Sequence, residues 1–384
     1  MGYRIIEENM SWIEDTWKKV DKKLLKVAVR SRDKLPSKSV NGLHDDKKDF
    51  GACWTNGFWG GMMWLMYEAT KNDEYKKTAR RSQELLNHAI IDDYKDLNHD
   101  VGFMWHLTSG ADYRLTGDKK AYGVNLIAAS ILSSRYHIDG GFIRAWNSYT
   151  DNFDNSGWTI IDSMMNLPLL YWASRELHDD RFTRIAMRHA DMTMRDHIRA
   201  DGSTYHIVEH DVNTGKVIQA YQGQGYTRTS CWSRGLAWAI YGFVLSYIHT
   251  KKQEYLDTAK KTANYFAEHV IKYGYLPPID FDAPEEPSYY DSTAGVCSAC
   301  GLLELAKYVD EDDSKMYIET AVNILKVIDK MCCDYDEDTD SIVGMGSERY
   351  PHDKDAGIHI PLIYGDLFFV EALTKLRKSD FLIW

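Results

Sequence analysis

The chain has 384 residues, 44% hydrophobic and 27% charged, ordinary values for a globular protein. Its formal net charge of −11 excludes the broad basic face that a nucleic-acid partner needs to displace counterions from phosphates. No apolar run approaches the ~20 residues that cross a bilayer, so no membrane partner is expected either.

Aromatic residues are abundant, with 12 Trp, 25 Tyr and 12 Phe. Many stand beside Gly, Asp or His, as they do in the walls of sugar sites, although such rings also serve as plain core. The first residues, Met1-Gly2-Tyr3-Arg4-Ile5-Ile6-Glu7-Glu8, have no apolar signal-peptide core, and Ile6 breaks the myristoylation pattern. A cytoplasmic location is expected. Cys297-Ser298-Ala299-Cys300 has metal or redox spacing, but no second such pair accompanies it. Buried free thiols are the expectation for all six cysteines.

Helical periods recur along the chain and strand periods do not. An amphipathic helix is predicted over 11–31, with Trp12, Ile13, Trp17, Val20, Leu24 and Val27 on one face. A strongly apolar helix follows from Trp54 to Tyr67, then a charged-faced one over 74–90. The alternation continues with 102–115 and 119–133, 157–175 and 181–197, 232–249 and 253–270, 292–308 and 314–330, and it closes with 361–377. The joints after the apolar helices look alike: Lys71-Asn72-Asp73, Gly117-Asp118-Lys119, Asp179-Asp180-Arg181 and Lys252-Gln253-Glu254.

An apolar-all-round helix belongs inside a ring of others, and a recurring unit that cannot bury its own face implies a closed or stacked array. Twelve helices in six inner–outer pairs predict an all-α fold, an (α/α)6 barrel, with residues 1–384 as a single catalytic domain. The long connections are 34–53, 91–101, 134–156, 198–231, 271–291 and 331–360. All leave the same end, so together they build one mouth, and long loops in compact domains usually carry function. Segment 203–222 alternates enough for a small hairpin around Asn213-Thr214-Gly215.

Most of the unusual residues sit at that end. Asn98-His99-Asp100-Val101-Gly102-Phe103-Met104-Trp105-His106 reads as a helix start at a pocket wall. Asp100 is either an N-cap or a carboxylate facing in. Asp162, in the apolar surroundings of Ile160-Ile161 and Met164-Met165, is placed inside a helix, where it is costly unless paired or protonated. If Asp100 and Asp162 share a cavity, burial and like-charge repulsion raise one pKa, giving a loaded acid beside a charged carboxylate. That pairing suits general acid–base chemistry on a sugar. His99, His106 and His206 match no zinc signature, so no metal is expected. Gly60-Gly61 and Gly223-Gln224-Gly225 follow no predicted strand, which argues against a nucleotide fingerprint, and no cofactor is expected.

Three stretches resemble the unsaturated glucuronyl hydrolases of glycoside hydrolase family 88. They are His99-Asp100-Val101-Gly102-Phe103; Asn155-Ser156-Gly157-Trp158 with Asp162-Ser163-Met164-Met165-Asn166-Leu167-Pro168; and Gln224-Gly225-Tyr226 with Ser230-Cys231-Trp232-Ser233-Arg234-Gly235. The resemblance runs from the Trp54 region to Tyr364-Gly365-Asp366. It implies an (α/α)6 barrel acting on an unsaturated oligosaccharide left by a polysaccharide lyase. It implies Asp162 as the acid that protonates C4 of the unsaturated uronate and then activates water. Asp100 would hold the ring hydroxyls and keep the proton on Asp162.

Trp54, Trp146 and Trp238 would form ring walls, with His99, His206, Gln224, Arg234 and Tyr350 in polar or edge contact. Arg234 would grip the substrate carboxylate through its planar fork. Family members acting on sulfated sugars carry Ser-x-x-Ser-x-Lys in the last loop. Here Ser347 and Lys354 remain without that spacing, so sulfated and unsulfated leaving sugars both stay open. An unsaturated rhamnogalacturonyl hydrolase and a non-catalytic glycan-binding barrel are the alternative readings, and the oligomeric state is left open.

Overall fold

The computed structural model describes residues 2–148 and 154–384. The long loop expected over 134–156 therefore includes residues 149–153, which lie outside the described residues. Among the described residues the inner helices are Phe58–Thr70, Gly102–Gly110 continuing as Ala111–Thr116, Leu167–Leu177, Ser233–Thr250, Ser292–Leu305 and Ile363–Leu376. Their outer partners are Met10–Arg30, Asp73–Asn87, Lys119–Ser134, Arg181–Asp196, Gln253–Val270 and Glu311–Cys332. Each inner helix packs on the next and the last packs on the first, so the ring closes. This is the (α/α)6 barrel that the periodicity predicts.

The division follows from side-chain character. Ser233 to Ser246 is buried without a break, as a helix surrounded by others must be. The outer helix Arg181–Asp196 instead buries Phe182, Ala186, His189, Ala190 and Thr193, one stripe at helical spacing. Four of the five inner-to-outer joints share one geometry, the exception being the joint after Ser292–Leu305. Lys71, Gly117, His178 and Lys251 each end an inner helix in the left-handed region, at φ 57, 76, 52 and 57°. There the chain reverses, and the side chains of Asn72 and Asp118 cap the outer helices that follow.

One predicted helix is corrected. Residues 157–175 do not form a single helix: Trp158–Ile160 is a strand, Ile161–Met165 a 3-10 turn, and the α-helix runs over Leu167–Leu177. The aromatic and β-branched run Trp158-Thr159-Ile160 favours a pleated strand. It pairs antiparallel with Ile207–His210, with Thr159 opposite Val208, and that strand pairs with Val217–Tyr221. The last two strands are the predicted hairpin. Gly157, just before the strand, leaves no room for a side chain, since a Cβ there would lie 1.9 Å from the His210 carbonyl oxygen. A small apolar cluster of Ala145, Ile160 and Ile207 under Trp146, Trp158 and Tyr221 fastens this sheet at the barrel mouth. A second departure is the π-helical winding of Gly102–Gly110, a form found mostly in short pieces and often at functional sites.

The loops are tied down by buried polar groups. Lys23, on the first outer helix, donates to the Asp334 and Ser341 carbonyls at 2.9 and 2.7 Å and to Thr339 Oγ1 at 2.7 Å. At the far end Trp384 packs on Phe103 and Phe368, and its Nε1 donates to the Glu371 carboxylate. The six cysteines are free thiols, with Cys231, Cys297, Cys300 and Cys332 buried.

Candidate active site

Trp54, His99, Asp100, Trp146, Ile160, Asp162, Gln224 and Arg234 line one cavity in the mouth, about 420 Å³ of space including its opening. Six separate elements contribute: the turn before the first inner helix, the turn before Gly102, the Trp146 loop, the strand end with its 3-10 turn, the segment after the hairpin, and the first turn of Ser233–Thr250.

Asp100 is not an N-cap. The Asn98 side chain accepts the Asp100 N–H at 2.8 Å, and Asn166, from another helix, accepts the Phe103 N–H at 2.7 Å. With those donors satisfied, the Asp100 carboxyl is left to the cavity wall. His99 beside it meets Ser163 Oγ through Nδ1 at 3.0 Å, and its Nε2 lies 3.4 Å from Asp100 Oδ2. Burial pushes the His99 pKa down to about 3, so this ring is neutral near pH 7.

Asp162 sits in the 3-10 turn straight after the strand. His206, from the neighbouring strand segment, places Nε2 3.4 Å from Asp162 Oδ2. The backbone N–H of Gln224 donates to His206 Nδ1 at 2.9 Å, which leaves the ring proton on Nε2, facing the carboxylate. A separation of 3.4 Å is long for a charged hydrogen bond. Neither atom has another partner, so both keep hydrogen-bonding capacity for a ligand.

The two carboxyls have opposite proton affinities. Burial, reinforced by the charge of Asp162, raises the Asp100 pKa well above the carboxylate range, against the opposing pull of Arg135 and Asn166. Burial acts on Asp162 in the same sense. There the His206 N–H facing the carboxylate, with the Arg234 guanidinium further off, outweighs it and holds the pKa below the ordinary value. One cavity thus holds a protonated and an ionised carboxyl, as the sequence suggests, but the proton rests on Asp100 rather than Asp162.

Other expected contacts divide. Trp54, Trp146, His99, Gln224 and Arg234 line the cavity, and His206 reaches it through Asp162. Trp238 does not. It is fully buried against Phe103 and Phe368 at 5.5 and 5.6 Å, because four residues past Arg234 put it one helical turn deeper in the barrel. Tyr350 borders a neighbouring recess. Its N–H donates to the Gln224 carbonyl at 2.8 Å, and its ring meets Tyr226 and His352, each at 4.9 Å.

Arg234 lines the cavity without a free fork. Nη1 pairs with the Asp291 carboxylate and donates to the Ser347 carbonyl at 2.6 Å, and Nη2 donates to the Glu348 carbonyl at 2.7 Å. Its guanidinium also lies 4.6 Å from the Trp232 ring centre. These bonds make Arg234 a clamp on the last loop as well as a lining residue of the cavity. Ser163, Asn166, Trp232 and Asp291 are supporting residues that the sequence did not single out for a role. Asp291 carried the clearest signal, an Asp just before the predicted helix 292–308, and its side chain does cap that helix through the Thr293 N–H at 3.1 Å; Asn166 fell inside the helix predicted over 157–175. Among the described residues no three His, Cys, Asp or Glu side chains group so as to hold a metal ion.

A closed ring of helical hairpins thus carries, between tryptophans in its mouth, two carboxyls of opposite proton affinity, the equipment that general acid–base chemistry uses. Residues 27–273 match the model of Glycosyl Hydrolase Family 88, and the chain belongs to that family. It is 35% identical over 336 residues to the unsaturated glucuronyl hydrolase of Bacillus sp. (strain GL1), covering 85% of this chain and 86% of that protein. It is 31% identical over 335 residues to the unsaturated chondroitin disaccharide hydrolase of Streptococcus pneumoniae (strain ATCC BAA-255 / R6), covering 86% and 83%. The crystal structure of the Bacillus sp. GL1 enzyme, responsible for the degradation of glycosaminoglycan, superposes with a TM-score of 0.87 at 32% identity over 94% of this chain and 97% of that one.

Proposed function

We propose that this enzyme removes a 4,5-unsaturated uronic acid from the non-reducing end of lyase-generated, glycosaminoglycan-type oligosaccharides by hydrating its C4=C5 vinyl ether. The observation that carries the reading is the pair of carboxyls of opposite proton affinity, Asp100 and Asp162, in one cavity. Names borne by relatives that share about a third of its residues support the same reading.

In this scheme a proton adds to C4 and positive charge develops at C5, stabilised by the ring oxygen. Water adds at C5 as its own proton leaves, and the resulting hemiketal opens and releases the next sugar. Asp162 delivers the first proton and takes one from the water. Its lowered pKa leaves it ionised, so it must be loaded when substrate binds. The uronate carboxylate and the expulsion of water both raise its proton affinity, and Asp100 holds the nearest proton. Trp54 and Trp146 flank the sugar ring, while His99, His206 and Gln224 offer polar contacts. Residues 1–384 act as one catalytic unit in this scheme. Six free thiols, two of them neighbours, suit a reducing compartment, and the reading places the enzyme in the cytoplasm.

The test follows loss of the ultraviolet absorbance of the conjugated double bond, using unsaturated disaccharides from hyaluronan, chondroitin and pectin lyase digests. Turnover of the glycosaminoglycan products is expected. Turnover confined to the pectin product would replace this reading with an unsaturated rhamnogalacturonyl hydrolase.

A further inference from the structure

Asn166 stands at the N-cap position of Leu167–Leu177, where asparagine ordinarily accepts a backbone N–H of its own helix. It makes no such bond. Its side chain instead crosses to the other wall of the cavity, where Oδ1 accepts the N–H of Phe103 at 2.7 Å. The crossing is close: a Cβ on Gly102 would stand 2.6 Å from Asn166 Oδ1 and 2.7 Å from its Cα. Because a backbone N–H can only donate, the oxygen of the amide is fixed on Phe103. The NH₂ group therefore faces the carboxyl side, where it lies 3.5 Å from the Asp162 carbonyl and acts against the burial that raises the Asp100 pKa.

The Phe103 N–H is the donor that an aspartate at position 100 would normally take. Counted from an N-cap at Asp100, Phe103 is the third helical residue, whose N–H such a cap accepts. Asn166 occupies that donor first, and Asn98 holds the N–H of Asp100 itself.

We infer that Asn166 is a positioning residue for the reaction: by capping the Gly102–Gly110 helix from outside, it keeps Asp100 from capping that helix and leaves its carboxyl in the cavity opposite Asp162. The inference rests on the catalytic reading of the Asp100–Asp162 pair. The charged or titratable groups facing Asp100 are Asp162, His99, His206, Arg135 and, beyond Asp162, Arg234.

The test is Asn166→Ala, assayed on an unsaturated disaccharide across pH. With the outside cap gone, Asp100 rotates onto the Phe103 N–H, where a helix N-terminus favours its charged form. The expected result is a fall in kcat of ~10²-fold or more, since the proton reservoir of the pair is withdrawn. The alkaline limb of kcat/KM should move to lower pH. Loss of the Asn166 amide alone, without rotation, would remove a donor that favours the charged form and move that limb up. An alkaline limb that stays or rises in Asn166→Ala overturns the inference, whatever happens to the melting temperature.

Asn166→Asp is the companion variant. It keeps the acceptor for Phe103 and places a third carboxyl against Asp100, so its alkaline limb should move up, and an unmoved limb overturns the inference if Asn166→Ala does not fold. Wild-type turnover of the disaccharide tests the catalytic reading separately: no turnover by the wild type fails that reading, while turnover with unshifted limbs in the variants fails this inference alone.

Discussion

His206 presents Nε2 to Asp162 because the N–H of Gln224 occupies its other nitrogen. The ionisation of Asp162 thereby depends on a backbone turn that also leads to Tyr350, whose N–H donates to the Gln224 carbonyl. Replacing His206 with Ala leaves the burial of Asp162 and removes the group that most strongly opposes it. The Asp162 pKa should then rise, and the acidic limb of kcat/KM should move to higher pH. Steady-state rates across pH on an unsaturated disaccharide check this; an acidic limb left in place would mean that Arg234 and the cavity suffice to hold Asp162 ionised.

Asp162→Asn keeps the shape of the side chain and cannot cycle a proton. Turnover should fall by ~10²–10⁴-fold while substrate binding persists, as expected for lost general acid–base help. Binding is read by calorimetry with the intact unsaturated disaccharide and turnover by absorbance. A folded Asp162→Asn protein with near-normal turnover would falsify the assignment.

The helical frame was legible in the sequence because its signals are local. Six apolar helices, six amphipathic ones and four similar joints follow from spacing along the chain, and the αL joints at Lys71, Gly117, His178 and Lys251 stand where the repeats place them. The site was legible only in part. The run Trp158 to Met165 is apolar in both strand and helix, and what decides for the strand is pairing with Ile207–His210, about fifty residues away. The cap from Asn166 to Phe103 and the ion pair of Arg234 with Asp291 likewise join segments that are distant in sequence. Asp100 could not be told from an N-cap without knowing that Asn166 holds the cap.

The opposite shifts of the two carboxyls give a stability prediction with a defined sign. Asp100 has a raised folded pKa, so the native state holds its proton more tightly. That contribution is full below the unfolded value near 4 and is lost as pH rises toward the folded value. Asp162 has a depressed folded pKa, so its contribution is present above the unfolded value and is lost as pH falls. At pH 7, Asp100→Asn should melt above the wild type and Asp162→Asn below it, with both gaps shrinking toward pH 4. Melting curves of the three proteins at a series of pH values decide it, and shifts of the same sign in both variants would contradict the opposed titration.

Arg234→Lys keeps a positive charge near Asp291 but cannot hold the Ser347 and Glu348 carbonyls from one planar group. The last loop should loosen. We expect a lower melting temperature together with a ~10-fold or larger loss in kcat/KM, since charge-assisted hydrogen bonds contribute about 1.5–3 kcal/mol each. Arg234→Ala leaves Asp291 buried without its partner and should cost about 3–5 kcal/mol of stability. An Arg234→Lys protein with wild-type melting and raised KM would return Arg234 to direct capture of the substrate carboxylate.

Two tryptophans that look equivalent in the sequence should behave differently. Trp146 lines the cavity at the edge of His99, with ring centroids 5.8 Å apart. Trp238 has no exposed surface and packs between Phe103 and Phe368. Truncating Trp146 removes a surface on which a sugar ring can stack, and aromatic contacts contribute about 0.5–1.5 kcal/mol. Trp146→Ala should therefore raise KM by ~2- to 12-fold, with a smaller loss of stability than a fully buried tryptophan would cause, from its packing on Ala145, Ile160 and Ile207. Truncating Trp238 opens a hole in the core beneath Phe103, and such changes cost about 3–5 kcal/mol. Trp238→Phe refills most of that space and should keep wild-type KM, which separates packing from recognition. Chemical denaturation and steady-state kinetics on the three variants read both quantities. A Trp238→Phe protein of normal stability but raised KM would put Trp238 back at the substrate, against its burial one turn below Arg234.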